Sequence, residues 1–110
     1  MKIGYARIST EDQSQNAQLD ALNEAGCNRV YQESFSGKSR NRPQLERMID
    51  SLREGDIVVV QRLDRLGRSL KDLIELLDTF KQRGVQFISL NENIDTTTAI
   101  GELAFHMIGS

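Results

Sequence analysis

Apolar and polar positions along this chain switch between two periods, and the switches mark its elements. Residues 2–8 (KIGYARI) form a short β-like run, and 29–35 (RVYQESF) form a weaker one. Residues 57–61 (IVVVQ) are β-branched throughout, as in a strand covered on both faces, and 85–90 (VQFISL) make a fourth run. Helical spacing fills the intervals. Ala17, Ala21 and Ala25 stand four apart beside Leu19 and Leu22, with Thr10 and Gln13 as a capping box and Gly26 as a stop. Leu45, Met48, Ile49 and Leu52 follow i, i+3, i+4, i+7 behind Pro43, which suits a first helical turn, and EGD at 54–56 ends that helix. A third helix starts at Ser69 with Asp72 in a second capping box, buries Leu70, Leu73, Ile74, Leu77 and Phe80, and stops at Gly84. A last pattern begins near Thr98 and puts Ile100, Leu103, Ala104, Met107 and Ile108 on one stripe. The order β-α-β-α-β-α-β-α predicts an α/β fold: an open, mainly parallel sheet of four to five strands with helices on both faces.

The last stripe meets no stop signal before Ser110. It therefore reads as the truncated start of a longer helix that needs a partner surface, with residues 1–98 as the α/β domain and 99–110 as that helix. A chain of 110 residues supports one modest core. Hydrophobic residues at 38%, charged residues at 27% and a single proline fit a globular domain, not a disordered chain. No run approaches the roughly 18 apolar residues of a membrane span, and no signal peptide opens the chain. The single cysteine, Cys27, reads as a small buried residue and fits a cytoplasmic setting.

Charge changes the picture locally. The net charge is −2, so nothing global predicts binding to nucleic acid. Yet Lys38, Arg40 and Arg42 share residues 36–43 with no acid, and Arg62, Arg65, Arg68 and Lys71 crowd 61–71 against Asp64 alone. In open α/β sheets ligands bind beyond the carboxyl ends of the strands. Arg7, Ser9 and Thr10 follow the first strand, and the arginine-rich stretch follows the third. If those strands are neighbours, the two sets converge.

Ser9 has no histidine to serve as its base: His106, the sole histidine, lies beside the last apolar stripe and reads as a packing or surface residue. With no G-x-S-x-G elbow, acyl transfer is disfavoured. Arginine is a poor base but holds phosphate oxygens in a bidentate way, so arginines around a serine point to phosphoryl transfer. No carboxylate or His/Cys cluster has metal-ligand spacing, and no Gly-rich nucleotide loop is present. Plainer readings remain for each piece. Ser9, Thr10 and Ser69 can be helix caps, Asp64 can pair with Arg68, Arg42 can be a solvated loop residue, and Gln13 and Gln18 can be a polar helix face.

The combination nevertheless has a family likeness. YARIST at 5–10 and RLDRLGRS at 62–69 resemble the two signature motifs of the resolvase/invertase family of serine site-specific recombinases. SGKSRNRPQL at 36–45 resembles that family's mobile loop and its arginine segment, and IDTTTAIGEL at 94–103 resembles the stretch entering its long dimerisation helix. The resemblance implies that Ser9 attacks a DNA phosphodiester, giving a 5′-phosphoserine link and a free 3′-hydroxyl. Arg7, Arg65 and Arg68 would surround the phosphate, Arg42 would complete the cage, and Asp64 would orient the arginines or take part in proton transfer. Gln13, Gln18, Lys38, Arg40 and Arg62 would support the site or contact DNA, and Ile100, Leu103, Met107 and Ile108 would form a dimer interface. It also implies no metal and no nucleotide cofactor, a homodimer that pairs into a tetramer on double-stranded DNA sites, and a nucleoid-associated or mobile-element protein in a prokaryotic cytoplasm. Asp50-Ser51 stands where relatives often carry a lysine, and a downstream helix-turn-helix domain is missing. Residues 1–110 alone are therefore expected to be inactive in recombination and to bind DNA weakly. Resolution, inversion and transposition remain open. The rival readings are a serine phosphodiesterase that never religates and a module that merely binds phosphate or nucleic acid.

Overall fold

The computed structural model describes residues 1–9, 15–35, 42–67 and 69–96. The Thr10–Gln13 capping box and the last helix fall outside them. The elements run β1 (Lys2–Ser9), α1 (Gln15–Glu24), β2 (Arg29–Phe35), α2 (Pro43–Ser51), β3 (Ile57–Val60), a short 3-10 turn (Leu63–Arg65), α3 (Leu70–Gln82), β4 (Gln86–Ser89) and β5 (Ile94–Asp95). The strands form one sheet in the order β2-β1-β3-β4-β5. All pairings are parallel except that of β4 with β5. The sheet class and its helices on both faces are as the periodicity predicts. The 3-10 turn and two-residue β5 are additions to the elements named from the pattern.

Each face of the sheet has its own core. Ala6, Ile8 and Val59 pack with Leu22 of α1 on one side. On the other, Ile3, Tyr5, Tyr31, Val58, Val60 and Phe87 meet Leu45, Met48 and Leu52 from α2 and Leu73, Leu76, Leu77 and Phe80 from α3. Burying each of these large side chains contributes about 1.5–3 kcal/mol before chain entropy is counted. Two expectations need correction. Ile74 is 37% exposed and Leu76 takes the buried place on α3, because the inward stripe runs Leu73, Leu76, Leu77 and Phe80 at i, i+3, i+4, i+7. Ala17 is exposed while Gln18 is fully buried, because the Gln18 amide has a partner inside, the carbonyl of Arg7.

The expected stops at Gly26 and Gly84 hold in detail, whereas α2 ends at Ser51 with Leu52 as its cap, ahead of the expected EGD at 54–56. Past α1, the Cys27 amide donates to the Leu22 carbonyl (3.2 Å) and Gly26 donates to Asn23 (3.0 Å). Past α3, Val85 donates to Phe80 (2.9 Å) and Gly84 to Lys81 (3.1 Å). Both are Schellman closures, and the glycine supplies the left-handed residue at φ 85° in the first and 70° in the second. Cys27 is half-buried, and burial pushes its thiol up from the usual value against the pull of Lys2. Among the described residues no helix is long and apolar enough to cross a membrane.

Gly67 joins the 3-10 turn to α3 at close quarters. A Cβ there would lie 2.8 Å from the Leu73 Cβ and 2.9 Å from its Cα. Backbone cannot retreat as a flexible side chain can, so Gly67→Ala should cost about 1–3 kcal/mol. Urea unfolding checks this: the midpoint should fall with the slope unchanged.

Candidate active site

The strand order reverses at β1. The chain passes from β1 to β2 on one side and returns to β3 on the other, so the carboxyl ends of β1 and β3 flank the switch point where open α/β sheets bind ligands. The ladder between β1 and β3 covers Lys2↔Ile57, Ile3↔Val58 and Gly4↔Val59. Beyond Gly4, β1 continues to Ser9 with β2 as its partner, and the 3-10 turn after β3 lies against it on the other side. Arg7, the backbone of Ser9, and the turn carrying Asp64 and Arg65 are thereby brought to one end of the sheet.

Individual side chains sit as follows. Arg7 and Arg65 are half-buried, and each is engaged by further interactions. Arg42 stands just before α2 and reaches across: Nη1 donates to the Leu66 carbonyl (2.9 Å) and Nη2 to Asp72 Oδ1 (2.8 Å). The Arg42–Asp72 ion pair is largely enclosed, with side chains 15% and 25% exposed. Asp64 faces outward and pairs with Arg62 Nε at 3.2 Å. Arg62, expected to support the site or contact DNA, thus has Asp64 as its partner at the surface. Gln18 donates from Nε2 to the Arg7 carbonyl (3.1 Å), fixing the backbone behind the strand end, while its Oε1 is buried without a hydrogen-bond partner. Arg68, Gln13, Lys38, Arg40, Ile100, Leu103, Met107 and Ile108 lie outside the described residues. Among the described residues no group of three or more His, Cys, Asp or Glu could hold a metal ion.

Sequence reasoning missed Tyr5 and Glu33. Glu33 is 2% exposed, yet its carboxylate accepts the Gln44 amide (3.1 Å) and the Leu45 amide (3.2 Å). These are the free donors of the first turn of α2. Pro43 has none, and Arg42 as the preceding residue offers no side-chain cap. A carboxylate at a helix N-terminus is favoured by hydrogen bond and dipole together. The Tyr5 hydroxyl donates to Glu33 Oε1 at 3.4 Å. Parity carried the signal: Glu33 falls two residues after buried Tyr31, on the inward-facing alternation of β2. Burial, then the Glu33 charge, push the Tyr5 hydroxyl well above its ordinary value, although Arg42 and Arg7 pull the other way. Tyr5, Glu33, Arg42 and Arg7 therefore belong to one electrostatic neighbourhood.

Comparison with known proteins decides the family. The description "Resolvase, N terminal domain" matches residues 2–110. The chain belongs to the resolvase N-terminal domain family. Its sequence is 48% identical over 110 residues to the Transposon Tn917 resolvase of Enterococcus faecalis, covering all of this chain and 60% of that protein. It is 44% identical over 110 residues to the serine recombinase gin of Escherichia phage Mu, covering all of this chain and 57% of that one. The chain thus spans less than two thirds of these curated relatives. The N-terminal catalytic domain of TP901-1 integrase superposes with a TM-score of 0.80 at 34% identity, over 98% of this chain and 91% of that one. The resolvase-family fold expected from YARIST and RLDRLGRS is the one observed.

Two outcomes are expected of this resolvase-family site. The raised Tyr5 hydroxyl keeps its proton in the folded state after the unfolded chain has lost it. Stability should be intact below about pH 10 and fall at up to ~1.4 kcal/mol per pH unit above it. Tyr5→Phe should remove that component, so its stability relative to wild type should improve with pH when urea unfolding is followed from pH 9 to 11. For the Arg42–Asp72 pair, a double-mutant cycle with Arg42→Ala and Asp72→Ala should give a coupling of about 1–2 kcal/mol. A coupling near zero would mean that the contact does not persist in solution.

Proposed function

We propose that this chain is the catalytic part of a serine recombinase that cleaves double-stranded DNA at specific sites and rejoins it through a 5′-phosphoserine intermediate on Ser9. The observation that carries this reading is the convergence at the β1/β3 switch point: β1, which ends at Ser9, lies against the turn that holds Arg65. Arg7, Arg65 and Arg68 would hold the scissile phosphate, and Arg42 would join them from the segment ahead of α2.

The chemistry suits such a set. Attack by the serine oxygen on phosphorus builds negative charge on the equatorial oxygens, and guanidinium groups positioned there stabilise it. The serine hydroxyl gives up its proton, the bond to the 3′ oxygen breaks as that oxygen takes up one proton, and the phosphodiester is exchanged for a phosphoserine ester of similar energy. Rejoining reverses the step, so no external energy source is called for. Asp64 would serve the arginines or the proton transfer. Its outward pairing with Arg62 favours the first, through the conformation of the turn. Gln18 would act through the Arg7 backbone. Residues 99–110 would open the dimerisation helix, with dimers pairing into tetramers on DNA, and the setting would be the cytoplasm of a prokaryotic cell.

The decisive experiment grafts residues 1–110 into the Tn917 resolvase in place of its matching stretch. The chimera should form a covalent adduct with the 5′ end of a nicked recombination site, seen on a denaturing gel, and should yield rejoined recombinant. Ser9→Ala should abolish the adduct, a loss of about a thousandfold or more. Adduct without rejoining would favour the phosphodiesterase, and a chimera that binds without any adduct would favour the binding module. Residues 1–110 alone should give no recombinant.

A further inference from the structure

The 3-10 turn that presents Arg65 has no cap of its own. Arg62 precedes it in extended conformation (φ −143°, ψ 154°) and makes no side-chain cap, and its guanidinium is turned to Asp64. The first amide of the turn, that of Leu63, is taken instead by Glu92, whose two carboxylate oxygens each lie 3.3 Å from it. Glu92 comes from the turn between β4 and β5, far away in sequence. Its own position is fixed from beneath, because the hydroxyl of Ser89, a fully buried residue at the end of β4, donates to Glu92 Oε1. The backbone confirms the register. Leu90 donates to the Val60 carbonyl (3.0 Å) and Asn91 to the Gln61 carbonyl (2.8 Å), carrying the β3–β4 ladder past both strands and setting Glu92 opposite Leu63. Asn93 then takes a left-handed conformation at φ 56° and turns the chain into β5.

We propose that Glu92 is a positioning residue for the phosphate-binding turn: held by buried Ser89, it grips the Leu63 amide and so sets where Arg65 stands against the end of β1. The inference rests on the reading of Arg65 as a phosphate ligand, and it assigns a role to a residue outside both motifs. Glu92 works as a hydrogen-bond acceptor, not as a charge. An amide oxygen at the same place meets the same need, whereas a truncated side chain leaves the Leu63 amide and the Ser89 hydroxyl without this acceptor.

The test uses the chain of residues 1–110, labelled for 1H–15N spectra and titrated with inorganic phosphate. Glu92→Ala should speed exchange of the Leu63 amide, move the Arg65 Nε–H signal, and weaken phosphate binding by about tenfold. Signals from β2 and α2 should stay in place. Glu92→Gln should restore the Arg65 signal and bring the affinity within about twofold of wild type. The inference is overturned if Glu92→Ala leaves the Arg65 signal and the affinity unchanged, or if Glu92→Gln fares as badly as Glu92→Ala. Arg65→Ala separates this failure from that of the underlying reading. If phosphate binding survives Arg65→Ala, or wild type binds none, the phosphate site falls, and the Leu63 and Arg65 signals still decide whether Glu92 positions the turn.

Discussion

The parallel pairing of β1 with β3 is the constraint on which the rest of this structure depends. It ends at Gly4↔Val59, whereas the pairing of β1 with β2 continues to Ser9↔Phe35. Past Gly4, the β3-side edge of β1 needs other cover, since buried backbone groups are costly when unpaired. The turn after β3 lies against this part of β1, with Leu66 fully buried, and Gln18 Nε2 donates to the Arg7 carbonyl. A crevice at this point follows from topology, and the residues at 7–9 and 62–67 share it whatever their identity. The chemistry comes from what the sequence puts there.

What it puts there is cationic, and it is balanced from within. Arg42 is answered by Asp72 and Arg62 by Asp64. Arg7 stands across the β1–β2 ladder from Glu33. Guanidinium groups gathered without such neighbours would repel one another in a medium of low effective dielectric. The slightly acidic composition and the local basic cluster are therefore compatible: carboxylates from β2, the turn and α3 stand beside Arg7, Arg62 and Arg42. Glu33 serves two purposes, since the same carboxylate also satisfies the start of α2, the helix that follows Arg42.

Much of this was legible in the chain, for a physical reason. Period-2 and period-3.6 patterns report burial, and burial defines β1 to β4 and all three described helices. The glycine stops were legible because Schellman closures demand a left-handed residue. The 3-10 turn was not, because three residues set no period, and two-residue β5 is too short to alternate. Ile74 and Leu76 exchanged roles because both are apolar and the pattern alone does not fix the helix rotation. The burial of Gln18 has no mark in the sequence, because its partner is a backbone carbonyl. The site divides likewise: motif residues are visible in sequence, but Asp72 and Glu92, which hold Arg42 and the turn, are joined to them by tertiary contacts alone.

The Arg42 contacts bear on how such a site stays ready for an anion. A guanidinium has five N–H donors, and here one goes to the Leu66 carbonyl and one to Asp72. The other donors lie in the same plane, so the phosphate proposed for this site would be met without breaking the ion pair. Asp72 would lower the charge that the proposed phosphate experiences, yet it also removes rotamer freedom worth about 2 kcal/mol in a loose arginine. The two effects oppose each other, and geometry decides between them. The pair also ties the segment ahead of α2 to the Leu66 end of the arginine turn and to the first turn of α3, which starts at the Ser69 cap. Without it, Arg42 would keep its charge and lose its fixed place beside the turn. If the proposed function holds, several donors would have to meet one phosphate, and place would then be the scarcer quantity.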